Sequence, residues 1–199
     1  MAAQSVAYTL MDLGFHPFLT PLSSTSKYHP KGDGVFNLCR NSDRGYFGAL
    51  KCSTILSQLG IPFTGATPNA LQACLPTNSL YQNEPPSKNI TQISFLEGKP
   101  LAIKTKTGWK NPEELPNLNQ LCLKVLTHLS KKSHCPLQRL YGYLSVKETQ
   151  TKENIQLQSL QLCPSLYKDE LIPTGHKFRS LSYPTLIQTI AKPLEHLRI

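Results

Sequence analysis

Gly34-Val35-Phe36-Asn37-Leu38, followed by a helical stretch to Leu59 and then by Gly60-Ile61-Pro62-Phe63-Thr64-Gly65, is the part of the chain whose reading decides the fold. Gly34 to Cys39 carries apolar residues bounded by turn signals, which predicts a buried strand. Arg40 to Tyr46 is a polar arm. Phe47, Leu50, Ile55, Leu56 and Leu59 then recur at helical spacing and stop at Gly60, as a helix with a glycine terminus does. Ile61 to Thr64 predicts a brief strand, Gly65 a turn, and Pro68 to Leu75 a short helix with proline in its first turn, where a missing N–H is harmless. Strand, helix, strand, helix at this spacing is the pattern of a parallel sheet with crossover helices.

Upstream, Val6, Ala7, Leu10 and Leu13 predict an amphipathic helix over 4–13 ended by Gly14. His16 to Leu22 reads as a strand, and its prolines place it at a sheet edge. Ser23 to Asp33 is a polar loop. Downstream, Pro76 to Asn89 changes character to a Pro, Asn and Ser-rich segment, the best boundary in the chain. Beyond it, Ile90–Leu96 and Pro100–Lys106 flank Glu97-Gly98-Lys99 and predict a β-hairpin. Thr107 to Pro116 reads as a loop carrying Trp109. The stripe of Leu118, Leu121, Cys122, Val125, Leu126 and Leu129 predicts an amphipathic helix, with Glu113-Glu114 favouring its N-terminal dipole. Arg139–Val146 and Ile155–Leu162 read as paired strands, Pro164–Leu181 as mostly irregular, and Tyr183–Ile190 as a last helix with Pro193 near its end.

Length and composition bound the function. At 199 residues the chain can hold one domain or two small ones. A net charge of +9 favours anionic partners, nucleic acid among them, but Lys131-Lys132 is the only adjacent basic pair and the aromatics form no stacking series. The six cysteines form no C-x-x-C pair, and several fall in apolar runs, which predicts buried free thiols in a reducing, cytoplasmic compartment. His134-Cys135 near His128 is the nearest thing to a metal cluster and lacks ligand spacing. No apolar run is long enough to span a membrane, and the first residues have neither a secretory nor a mitochondrial leader pattern. Neither glycine-rich segment, Lys31–Gly34 or Gly45–Gly48, has the spacing of a nucleotide fingerprint.

In order along the chain, Val35-Phe36-Asn37, Gly60-Ile61-Pro62-Phe63-Thr64-Gly65-Ala66 and Ala70-Leu71 resemble motifs of the D-alanine–D-alanine ligases, enzymes of the ATP-grasp class. Val6 to Phe15 is similar to the family's first helix. Pro164-Ser165-Leu166, Leu171-Ile172-Pro173 and Leu181 to Ile187 are similar to its closing motifs. The resemblance implies a small N-terminal α/β domain of parallel sheet (pre-ATP-grasp-like) over 1–76, a linker over 77–89, and over 90–199 an α+β remnant of the ATP-grasp C-terminal lobe. It also implies substrate-binding positions at Arg139, Glu170 and Leu171. The departures are informative. Only fourteen residues separate Leu75 from Ile90, leaving no room for the lobe that carries the family's nucleotide-contacting lysines and phosphate-covering loop. Pro76-Thr77 replaces an Asp-Lys ending. At the magnesium-ligand positions stand Tyr141, Ser159 and Gln161, and Glu170 replaces a serine that meets the second D-alanine. Magnesium requires hard, preferably anionic oxygen ligands, and an acid facing a carboxylate substrate repels it.

Two functions from different classes follow. One is a non-catalytic, pseudoenzyme-like relative of these ligases, a basic protein acting by protein interaction as a binding or structural subunit, with no catalytic residue, metal or cofactor. The other is an active ATP- and magnesium-dependent carboxylate–amine ligase of peptidoglycan precursor synthesis. A third, nucleic-acid association through scattered Lys and Arg, would weaken steeply with salt.

Overall fold

Glu97 and Gly98 turn the chain with φ of 52° and 70°, the paired positive values of a tight hairpin turn whose twist matches its strands. The hairpin they close opens a sheet. In a computed structural model, which describes residues 2–21, 32–39, 48–74, 90–148, 155–163, 166 and 171–197, strands β1 (Ile90–Leu96), β2 (Lys99–Thr105), β3 (Gly108–Lys110), β4 (Gly142–Glu148) and β5 (Ile155–Leu162) form one sheet. Its order is β3-β2-β1-β4-β5, and every pairing is antiparallel. A Cβ on Gly98 would lie 2.8 Å from Leu137 Cδ2, and its N–H donates to the Leu140 carbonyl at 2.9 Å. The turn therefore sits directly on the segment that leads into β4.

The sheet's two faces differ. Ile93, Ile103, Leu144 and Leu160 are buried on one of them, the face that shares a core cluster with α4 (Pro116–Ser133). In α4 Leu118, Cys122, Leu126 and Leu129 are buried, the three- and four-residue steps of one helical face. On the other face, register places Gln92 and Ser94 beside Ser145 and Tyr143, and these beside Ser159 and Gln161. There α5 (Leu171–Phe178) approaches closely: a Cβ on Gly175 would stand 2.7 Å from Ser94 Oγ and 3.4 Å from Ala102 Cβ. His176 of the same helix is buried with its Nδ1 unpartnered among the described residues, and burial lowers its pKa. α6 (Tyr183–Ala191) follows, its Ser182 cap accepting from Thr185 N–H at 3.3 Å.

Several expectations need correction. Residues 107–116 are not a plain loop. Thr105 Oγ1 donates to the Gly108 carbonyl at 2.9 Å and folds β3 back on β2, so Trp109 lies opposite Lys104 on a strand too short to show alternation. The described part of Pro164–Leu181 is not mostly irregular, because α5 occupies its second half. Pro173 and Gly175 suppressed the helical signal there. Glu113 and Glu114 belong to their own tight 3₁₀ turn, Pro112–Glu114, where Glu114 Oε1 accepts from Asn111 N–H at 2.8 Å. That bond holds its carboxyl below the usual range.

The N-terminal part is helical as expected, with α1 (Ala2–Asp12), α2 (Gly48–Gln58) and α3 (Pro68–Ala73). Gly14 and Gly60 follow α1 and α2 with φ of 86° and 67°, left-handed values that terminate helices. Among the described residues the expected parallel sheet amounts to one parallel bridge, Val35 with Phe63. Side chains supply the next bonds instead of a ladder: Asn37 N–H donates to Thr64 Oγ1 at 3.0 Å, and Cys39 N–H to Asn37 Oδ1 at 3.0 Å. Residues 16–21 form no strand, and Pro17 and Pro21 remove two donors from it. The linker expected over 77–89 lies outside the described residues. The main core joins Val6, Ala66 and Leu71 to Tyr141, Ile172 and Ile187, drawing on both sides of that segment. No helix among the described residues is long and apolar enough to cross a membrane.

Candidate functional site

The Gly65-Ala66-Thr67-Pro68 turn opens α3, with Thr67 Oγ1 accepting from Ala70 N–H at 3.4 Å. Three residues from the second half of the chain converge on it. Arg139, in the tight Leu137–Arg139 turn and not in a strand as expected, donates from Nε to the Gly65 carbonyl at 2.9 Å and from Nη2 to the Phe63 carbonyl at 3.0 Å. Its Cζ lies 4.4 Å from the Phe63 ring centroid, within cation–π range. Cys163, just past β5 with a φ of 51°, accepts from Ala66 N–H at 3.3 Å on its sulfur. Tyr141 is buried beside it, and its carbonyl accepts from Cys163 N–H at 3.1 Å. Gly65, with φ of 90°, is required here, since a Cβ would come within 2.7 Å of Cys163 Sγ.

Electrostatics set what this node can do. Burial pushes the Cys163 thiol up to about 11, against the opposing pull of Ala66 N–H, the Tyr141 hydroxyl and Arg139. Burial likewise raises Tyr141 well above its usual value and lowers Arg139. A buried thiol that stays protonated near neutrality is a poor nucleophile. Among the described residues no carboxylate forms an ion pair with Arg139, and no group of three or more His, Cys, Asp or Glu could hold a metal. Arg139 is thus neither exposed in a surface pair nor open to an anion through the two nitrogens that bond Phe63 and Gly65.

Leu171 is the first residue of α5, and Glu170 lies outside the described residues. Ser159 and Gln161 share a face of β5, where the Tyr143 hydroxyl donates to Gln161 Oε1. Tyr141 instead enters the Cys163 node. Cys163 and Gly65 carried no sequence signal of this contact, being separated by nearly one hundred residues of chain. Elsewhere, Cys39 and Cys52 lie side by side, their mutual hydrogen bond lowering the first and raising the second. Both line a cleft of about 650 Å³ between α1, residues 15–21 and residues 32–39.

One mutational expectation arises at the node. Arg139→Ala should destabilise the protein by about 2 kcal/mol, because the Phe63 and Gly65 carbonyls lose their donors. Arg139→Lys should recover only part, since an ammonium cannot reproduce the planar fork. Urea melts of the three proteins read this directly, and unchanged midpoints would show that the arginine does not hold the 63–65 turn.

No family model and no curated protein matches the chain. Among solved structures, D-alanine–D-alanine ligase from Bacillus anthracis complexed with ATP is similar at a TM-score of 0.54 and 13% identity, over 74% of this chain and 75% of that one. A second structure of the Bacillus anthracis ligase is similar at a TM-score of 0.53 and 12% identity, over 73% of this chain and 75% of that one. At this identity the likeness shows a fold shared with these structures and nothing finer.

Proposed function

We propose that this protein is an internally shortened, non-catalytic relative of the D-alanine–D-alanine ligases that acts as a binding or structural subunit. The observation that carries the proposal is the donor set at the positions where the resemblance puts magnesium ligands: Tyr141 is buried against Cys163, and Ser159 and Gln161 offer neutral oxygens. Phosphoryl transfer relies on metal ions that neutralise developing charge, and these side chains supply no carboxylate to hold them. Two further features support it. Arg139 spends two donors on backbone carbonyls, and α5 lies through Gly175 on the sheet face that carries Ser159 and Gln161.

The competing reading, an active ATP-dependent carboxylate–amine ligase, is favoured by fold likeness to an enzyme crystallised with ATP. A phosphate-release assay with D-alanine, ATP and magnesium separates the two. Release at the protein-free background is expected; D-alanine-dependent release proportional to protein concentration would overturn the proposal.

A further inference from the structure

Val35 spends both of its backbone groups on one neighbour: its N–H donates to the Pro62 carbonyl at 2.9 Å, and its carbonyl accepts from Thr64 N–H at 3.0 Å. In extended chain the next residues' groups point to the opposite side. There, among the described residues, the backbone of Phe36 and Leu38 makes no hydrogen bond, and the 650 Å³ cleft opens at this edge. The facing wall is the 15–21 segment, in which the backbones of His16, Phe18, Leu19 and Thr20 also make none among the described residues. Phe18 and Leu19 are 54% and 55% exposed. Ala3, Val6, Ala7 and Leu10 of α1 provide an apolar floor, and Gly32 sits against the Phe18 ring at one end.

Of these two rows, the one at Phe36 and Leu38 is half-buried beside an apolar floor, a costly place for unpaired peptide groups, while His16, Phe18, Leu19 and Thr20 are exposed. A compact apolar molecule would satisfy the floor but not the rows. An extended main chain satisfies both, as strand addition does at an open sheet edge. Among the described residues Asp33 is the only lining residue with a formal charge at neutral pH, so a charged side chain in the middle of an inserted strand would go unmatched by them.

We propose that this cleft receives an uncharged, apolar strand of about six residues from a partner protein, paired through the backbone with Phe36 and Leu38 and seated on α1. The proposal rests on the binding-subunit reading and names the class of partner. Its test is a phage-displayed library of uncharged six-residue peptides selected on the folded full chain. The best binder is then synthesised plain and with alternate amides N-methylated, and fluorescence anisotropy measures both. Ala7→Phe fills the floor, and Leu19→Glu places a charge on the exposed opposite wall; circular dichroism establishes that each is folded, and L19E stands alone if A7F is not.

Expected are saturable binding of the plain peptide, at least about tenfold weaker binding to each folded variant, a similar loss on N-methylation, and slowed amide exchange at Phe36 and Leu38 in the complex. Failure to select any peptide sensitive to these variants would overturn the proposal. So would equal affinity for the N-methylated peptide, which would mark a pocket for compact apolar molecules. ATP-dependent release of phosphate by the same preparation would sink the non-catalytic reading by itself, so the two failures are distinguishable.

Discussion

Gly142→Ala should lower the stability of the protein by about 3 kcal/mol or more, the largest effect expected of any single methyl group added to the chain. Gly142 begins β4 opposite Leu162 of β5. A Cβ there would lie 2.0 Å from the Gln161 carbonyl oxygen, 3.0 Å from its carbon and 2.9 Å from Phe95 Cζ. Two of these atoms are backbone of the paired strand, and Phe95 is fully buried, so no flexible side chain can yield. Relief requires β5 to move, which would disturb Cys163 and through it the Gly65 turn. Gly60→Ala is the comparison: nothing lies within 4 Å of its Cβ, and its φ of 67° alone makes alanine unfavourable, by about 1 kcal/mol. Urea unfolding of both variants checks the ranking, and a Gly142→Ala loss no larger than that of Gly60→Ala would show that β4 and β5 do not approach so closely.

Leu126→Ala should cost roughly 2 to 5 kcal/mol, from lost burial and the cavity left behind. Leu126 is fully buried on the inner face of α4, in the cluster that includes Ile93, Ile103 and Leu144. Leu123 of the same helix is 39% exposed, and Leu123→Ala should change stability by no more than about 0.5 kcal/mol beyond the small helix-propensity gain. Equal effects at the two positions would mean that α4 does not present the 118–122–126–129 stripe to the sheet.

That stripe illustrates what a single sequence discloses. α1, α2, α4 and α6 were legible because their apolar residues repeat at helical spacing and because Gly14 and Gly60 mark two ends. The β1–β2 hairpin was legible through Glu97-Gly98. β3 was not, since three residues held by the Thr105 hydroxyl leave no alternation to read. α5 was hidden by the proline and glycine that let it lie close to Ser94 and Ala102, a tertiary reason invisible to local propensity. The parallel sheet does not follow from the strand composition of Val35 to Leu38, because only Val35 pairs backbone to backbone, with Pro62 and Thr64, while the Asn37 and Cys39 N–H groups turn to the Thr64 and Asn37 side chains. Of the candidate site, Arg139 was named from its motif. Its employment by Phe63 and Gly65, more than seventy residues earlier, exists only in space.

The central claim is that a ligase-like fold has been kept while the nucleotide and metal chemistry has not. Calorimetric titration of the folded full chain with ATP and a non-hydrolysable analogue, with and without magnesium, tests it most directly. The account predicts no saturable heat in either condition. Saturable, magnesium-dependent binding would contradict it, because Tyr141, Ser159 and Gln161 could not then be the whole of what meets the metal.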